Sequence, residues 1–341
     1  MAAASLSPGA RIFVTGGAGF IGSVVVRLLA GAGFRPRCLL RATTRTERLE
    51  GLPIERAEGD VRDAAAVRRA LEGCEAVIHL ASLSSWTDID SPLMQEVVLH
   101  GTGNVLDAVR ELGQRRVVFV SSAVTVNGTA GPRVNDETAT FELDDSKLSY
   151  CRNKRAAEKR CLESGVPVVI VNPTEVYGPG DTALITAGNL VDFAKSSPVL
   201  VCKGGTSVAH VEDVAQGIVA ALLRGRPGER YLLGGENLSV RELAELTLSI
   251  LGKKAGILSV PNVLLRIISR IALALRLPLP FNPRVIPYAT RYWYMSSAKA
   301  QRELGVSFRS ARAALEPTIA WLQSAGLIEQ PVTVTPREAV P

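Results

Sequence analysis

Thr15-Gly16-Gly17-Ala18-Gly19-Phe20-Ile21-Gly22 is the stretch on which the reading of the chain turns. It follows a short apolar run, residues 11–15, and opens an apolar-rich segment, residues 21–30, so it lies where a buried strand gives way to a helix. Glycines at 16, 19 and 22 leave room for a pyrophosphate to approach the backbone, where a Cβ would block it. The N-terminus of the following helix adds N–H donors and a positive partial charge. A glycine triplet alone is weak evidence. Strand, glycines and helix in this order at the start of a βαβ chain form a specific signature of dinucleotide binding, with Gly16, Gly19, Phe20, Ile21 and Gly22 in contact with the ligand.

Outward from this turn the pattern is regular. Strands are expected at 37–40, 54–59, 76–80, 117–120 and 166–171. A helix contains 67–71, and others cover 93–112 and 147–164. Apolar strands alternating with helices specify a parallel sheet wrapped on both faces, an α/β Rossmann doubly wound fold. After Asn172-Pro173 the pattern loosens. Residues 174–208 are rich in Gly, Pro and Thr, a helix follows at 211–222 and a strand at 230–233, and the remainder is mainly helical. The expected division is a core of 10–173 and 209–235, a smaller substrate-binding lobe of 174–208 and 236–328, and flexible ends at 1–9 and 329–341.

The end of the second strand bears on the choice of cofactor. An NAD-binding chain usually places an acid there for the ribose hydroxyls. This one reads Leu39-Leu40-Arg41-Ala42-Thr43-Thr44-Arg45, with no acid before Glu47. Arg41 and Arg45 suit a 2′-phosphate, so NADP(H) is expected over NAD(H). Asp60 and Val61 would lie near the adenine. Leu80, Ala81 and Ser82, after the fourth strand, would line the cofactor channel. His79 is read as structural.

Tyr150 and Lys154 stand four residues apart, on one helix face. A phenol titrates near pH 10, and a neighbouring ammonium would lower that value. Ser122 runs off the fifth strand, at the carboxyl edge where parallel sheets bind ligands, and could polarise a carbonyl.

Composition narrows the classes. The +6 charge is scattered and aromatics are only 5%, which argues against nucleic acid. Five widely spaced cysteines without a CxxC fit a reducing cytoplasm and give no metal-site pattern. Neither a secretory signal nor a spanning helix is expected.

The chain resembles the extended short-chain dehydrogenases, within them the group of dihydroflavonol reductases, 3β-hydroxysteroid dehydrogenases and hopanoid-associated sugar epimerases. The carriers are TGGAGFIG (15–22), EGDVRD (58–63), VIHLAS (77–82), SSAVTVNG (121–128), YCRNK (150–154), VNPTEVYGPGD (171–181), HVEDVAQG (210–217), GERYLLGGENLS (228–239) and SSAKAQRELG (296–305). The resemblance implies a Ser122–Tyr150–Lys154 triad, with Lys154 also on the nicotinamide ribose and Asn172-Pro173 beside the nicotinamide. It implies hydride transfer between NADP(H) and a ketone or secondary alcohol. Two alternatives stand beside this, a sugar or nucleotide-sugar epimerase or dehydratase, and a non-catalytic dinucleotide sensor. Nucleotide-sugar relatives often carry an Arg-Asp-aromatic stretch before the His-Val pair. Here it is Thr206-Ser207-Val208-Ala209, which points away from a nucleotide sugar; the amphipathic segment at 262–277 favours an apolar or polycyclic small molecule instead.

Residues 262–277, NVLLRIISRIALALRL, form an amphipathic helix. Arg266, Ser269, Arg270 and Arg276 share one side, and Val263, Leu264, Ile267, Ile268, Ile271 and Leu275 fill the rest. Either the apolar side packs over the pocket or a second subunit of a homodimer, or the helix rests on an anionic membrane.

Overall fold

The computed structural model describes residues 6–329 except 84, 87, 114, 146, 147, 280 and 281. Six strands open the chain: β1 (Arg11–Thr15), β2 (Arg35–Leu40), β3 (Glu55–Glu58), β4 (Ala76–His79), β5 (Arg116–Val120) and β6 (Val168–Pro173). Then come β7 (Glu175–Tyr177), β8 (Val199–Val201), β9 (Gly205–His210), β10 (Arg230–Leu233), β11 (Glu236–Ser239), β12 (Ile257–Ser259) and β13 (Tyr292–Trp293). The main sheet has seven parallel strands in the order β10-β6-β5-β4-β1-β2-β3. This is the doubly wound Rossmann arrangement, extended at one edge by β10.

Strand alternation decides which face each side chain serves. Ile12 and Val14 enter a core with α1 (Phe20–Gly31). Phe13, between them, enters the opposite core, under α2 (Ala64–Leu71). The region expected as one helix over 93–112 is α3 (Pro92–Gln95), a π-helical turn (Glu96–His100) and α4 (Gly101–Glu111). The Tyr150 helix, α5, is Ser149–Glu163; position 147, where it was expected to start, lies outside the described residues.

The loosely patterned region is more ordered than its composition suggests. It holds β7, α6 (Ala187–Lys195) and β8. β9 runs through the Thr206–Ala209 stretch and is buried throughout. β11, β9 and β13 form a second sheet, with β7 also paired to β9. The helices α7 (Val211–Arg224), α8 (Val240–Leu251), α9 (Asn262–Leu275), α10 (Ile286–Ala289), α11 (Ala298–Leu304) and α12 (Ala311–Ser324) complete the chain. A third apolar core joins Leu190, Phe193, Leu243 and Leu315 from these later elements.

Leu6 packs on the core, and the Gly9 N–H donates to the Gly33 carbonyl at 3.0 Å. Residues 1–5 and 330–341 lie outside the described residues.

Candidate active site

The glycine turn is built for a group that needs bare backbone. A Cβ on Gly22 would stand 2.1 Å from the Gly16 carbonyl oxygen. Gly16 is at φ +71°, where a Cβ would come 2.9 Å from the Ala81 nitrogen. Gly19 caps α1 with no side chain, so the first-turn N–H groups have neither an intrahelical nor a side-chain partner. The turn opens onto a cavity of about 1480 Å³, above the roughly 300–1,000 Å³ of ordinary small-molecule pockets. The buried hydroxyls of Ser82 and Ser121 border it without a hydrogen-bond partner. Bare backbone, a helix N-terminus and orphaned hydroxyls fit a phosphate-bearing dinucleotide.

Almost every residue singled out from sequence lines this one cavity. Gly16, Gly19, Phe20, Ile21 and Gly22 form the turn. Arg41 and Arg45 follow β2, while Asp60 and Val61 follow β3. Leu80, Ala81 and Ser82 follow β4, and Pro173 ends β6. Asn172 is the exception and corrects its expected place. It is fully buried and does not border the cavity. Its amide donates to the Ser122 carbonyl at 3.0 Å and to Glu158 at 2.7 Å, beneath the site. Alternation along β6 sends neighbouring side chains to opposite faces, so Asn172 and Pro173 cannot both face the ligand.

Arg41 and Arg45 are exposed on the cavity rim, with no side-chain hydrogen bond or ion pair among the described residues. The fold brings Asp60 near Arg41, a proximity hidden by their separation in sequence. That carboxylate is already held by Arg62 at 2.9 Å, which, with Arg41, keeps it below its ordinary range. Arg48, which the sequence reading passed over, borders the same space. It donates to Thr182 Oγ1 at 2.8 Å and to the Gly180 carbonyl at 2.5 Å, clamping the far loop over the glycine turn.

Ser122, Tyr150 and Lys154 meet beside the carboxyl end of β5, all on the cavity wall. The Tyr150 hydroxyl is hydrogen-bonded to Ser122. Lys154 Nζ donates to the Val120 carbonyl at 3.0 Å. Burial pushes the Tyr150 phenol up to about 12, partly offset by Ser122. The lowering expected from Lys154 is not realised, because its ammonium is directed to Val120. Burial draws Lys154 itself down to about 8. His79 is locked between Thr15 (2.6 Å) and Thr102 (3.1 Å), with burial holding it neutral.

Much of the remaining wall is apolar, although Glu175, Asp181, Asn189 and Asp192 also border the cavity. Trp86, Tyr288 and Trp293 form a run of ring contacts at 5.6 and 6.3 Å, joined by Ile89, Met94 and Leu265. The Trp86 indole is fixed by the Ile185 carbonyl at 2.9 Å. Nothing in the local sequence flags Trp86, because its partners are about a hundred and two hundred residues away.

Residues 12–234 match the model of the NAD dependent epimerase/dehydratase family. The chain belongs to that family. Its members are NAD(P)-dependent oxidoreductases and epimerases. Sterol demethylase protein B of Methylococcus capsulatus is 33% identical, over 92% of this chain and 99% of its own length. The 4-hydroxy-2-methyl-3-oxo-4-farnesyl-3,4-dihydroquinoline-1-oxide ketoreductase of Stigmatella aurantiaca is 28% identical, over 88% and 92%. Among solved structures, the Thermus thermophilus UDP-glucose 4-epimerase in complex with NAD superposes with a TM-score of 0.72. It is 26% identical and covers 92% of this chain and 99% of its own.

Proposed function

We propose that this chain is an NADP(H)-dependent oxidoreductase that interconverts a ketone and a secondary alcohol on an apolar or polycyclic small molecule. The observation that carries it is the convergence of Ser122, Tyr150 and Lys154 on a cavity whose remaining wall is largely aromatic and aliphatic. When bound, the dinucleotide supplies the hydride in reduction and takes it in oxidation. Ser122 donates a hydrogen bond to the carbonyl oxygen. Tyr150, neutral at physiological pH, gives that oxygen its proton. Lys154 offers ammonium hydrogens to the ribose hydroxyls and, with the ligand in place, turns its charge toward the phenol. The same reading assigns 10–173 and 209–235 to dinucleotide binding and 174–208 and 236–328 to the substrate, and places the enzyme in the cytoplasm.

The epimerase reading draws on the likeness to the UDP-glucose 4-epimerase. Against it, Thr206, Ser207, Val208 and Ala209 offer no cation for a diphosphate. A panel of ketones followed at the NADPH absorbance tests the choice: steady NADPH consumption supports the reductase. Sugar interconversion without net consumption, on a tightly retained cofactor, would replace it.

Cofactor preference follows from the rim charge. A charge-assisted hydrogen bond to phosphate contributes about 1.5–3 kcal/mol, roughly one to two decades in affinity. Arg41→Ala should therefore weaken NADPH by that factor and leave NADH little changed. Added salt should narrow the wild-type difference, because the rim is exposed. Titrating both cofactors into both proteins decides it, and an equal loss for the two would mean that Arg41 does not read the 2′-phosphate.

A further inference from the structure

The helix α9 turns its apolar side away from the protein. It docks through Leu265, Ser269 and Ala272, and through Arg266, whose guanidinium donates to Thr290 Oγ1 at 2.9 Å. Val263, Leu264, Ile267, Ile271 and Leu275 are 47–68% exposed. At 3.6 residues per turn these five fill an arc of roughly 120°. The sequence expectation that this side packs over the pocket is corrected: the narrow side does, and Leu265 alone of the helix borders the cavity. Just before the helix, Leu258 pairs in register with Leu200, and both are exposed. Leu200, like Leu265, lines the cavity, so the outward apolar residues adjoin elements that form its wall.

The charge here is one-sided along the sequence, although Arg284, Lys299 and Arg302 are paired with Asp90, Glu229 and Glu303 from outside the segment. Residues 246–302 hold nine of the chain's 39 Lys and Arg and none of its 33 Asp and Glu. The other 284 residues carry 30 basic and 33 acidic groups, so the entire positive excess comes from this segment. Lys253, Lys254, Arg270 and Arg276 are exposed.

We propose that α9 docks on an anionic bilayer. Its apolar arc enters the acyl boundary, and the basic residues meet lipid phosphates. The cavity mouth then faces lipid, and apolar substrate passes from the bilayer to Tyr150. No helix among the described residues is long and apolar enough to cross a membrane, so α9 lies in the interface plane. A second copy of the chain is the competing occupant. In a two-fold interface the patch would meet itself, bringing the basic residues of one copy near those of the other with no acid in the segment to pair them.

The delivery of substrate rests on the reductase reading. Docking does not, and is read without turnover, so the two can fail separately. The full chain should sediment with vesicles of phosphatidylcholine mixed with phosphatidylglycerol, more weakly with phosphatidylcholine alone, and less as salt rises. Ile267→Asp with Ile271→Asp should weaken mixed-vesicle binding at least about tenfold, since two buried isoleucines are lost and two like charges approach the headgroups. Unchanged dinucleotide affinity shows that this variant is folded. Arg270→Glu with Arg276→Glu should weaken binding through charge alone. No sedimentation of the wild type, or unaltered binding by both variants, overturns the proposal. So does a wild-type dimer that the aspartates convert to monomer without any vesicle binding, which would assign the face to a second copy.

Discussion

Tyr150→Phe should lower turnover by roughly 10²–10⁴-fold while leaving dinucleotide affinity nearly unchanged. The substitution removes the hydroxyl bonded to Ser122 and keeps the ring that fills the wall of the cavity. Because burial pushes the phenol up to about 12 before Lys154 turns toward it, the group holds its proton at neutral pH. Reduction should therefore show no alkaline loss from Tyr150 until well above neutrality. Oxidation, which needs the phenolate, should speed up as pH rises over the same range. Single-turnover rates for wild type and variant on a ketone that the wild type reduces would measure both effects. Near-normal turnover by the phenylalanine variant would remove Tyr150 from the chemistry.

Arg230→Met should destabilise the fold by about 3 kcal/mol, the lower end of the range for breaking a buried ion pair, because the Arg230 side chain is about a quarter exposed. Its partner Glu158 is 3% exposed and also accepts from Thr125 and Asn172, each at 2.7 Å. Without the guanidinium, a buried carboxylate keeps only neutral donors. Adding Glu158→Gln should recover much of the loss, since the charge leaves with its partner. Asn172 also holds the Ser122 carbonyl, so the single variant should lose turnover as well as stability. Urea denaturation of the three proteins tests this. A cost within about 0.5 kcal/mol of wild type, the range of ordinary surface substitutions, would show that the pair contributes nothing.

The core was legible because its signals are local. Arg11–Thr15 and Arg230–Leu233 are strands at the residues where continuous apolar character places them. The glycine turn announces itself by spacing. Lys154 and Tyr150 are found on one helix face because they are four residues apart. What the sequence concealed depends on distant partners. β9 reads as a turn-rich stretch because its buried Thr206 and Ser207 are polar, and only pairing with β11, β7 and β13 makes it a strand. Asn172 looks like a cofactor contact until Glu158 claims its amide. Arg48 looks like surface until Gly180 comes to meet it. The amphipathic pattern of 262–277 gave the helix but not its direction. A broad apolar side ordinarily faces inward, and here Leu265, Ser269 and Ala272 do so instead.

The burial of Lys154 reaches into how long the chain survives in a cell. Its folded pKa of about 8 lies below the ordinary 10.5, so holding the ammonium costs stability at every pH below about 8, and the cost fades as pH climbs toward 10.5. At neutral pH the cost is on the order of 3 kcal/mol, a substantial part of a typical folding free energy. A ligand that binds only the native state restores about 2.7 kcal/mol when present at a hundred times its Kd. Abundance should then follow the supply of bound dinucleotide. Chains synthesised when the dinucleotide is scarce should open more often and be degraded sooner, which pulse-chase half-lives at high and low dinucleotide supply would measure.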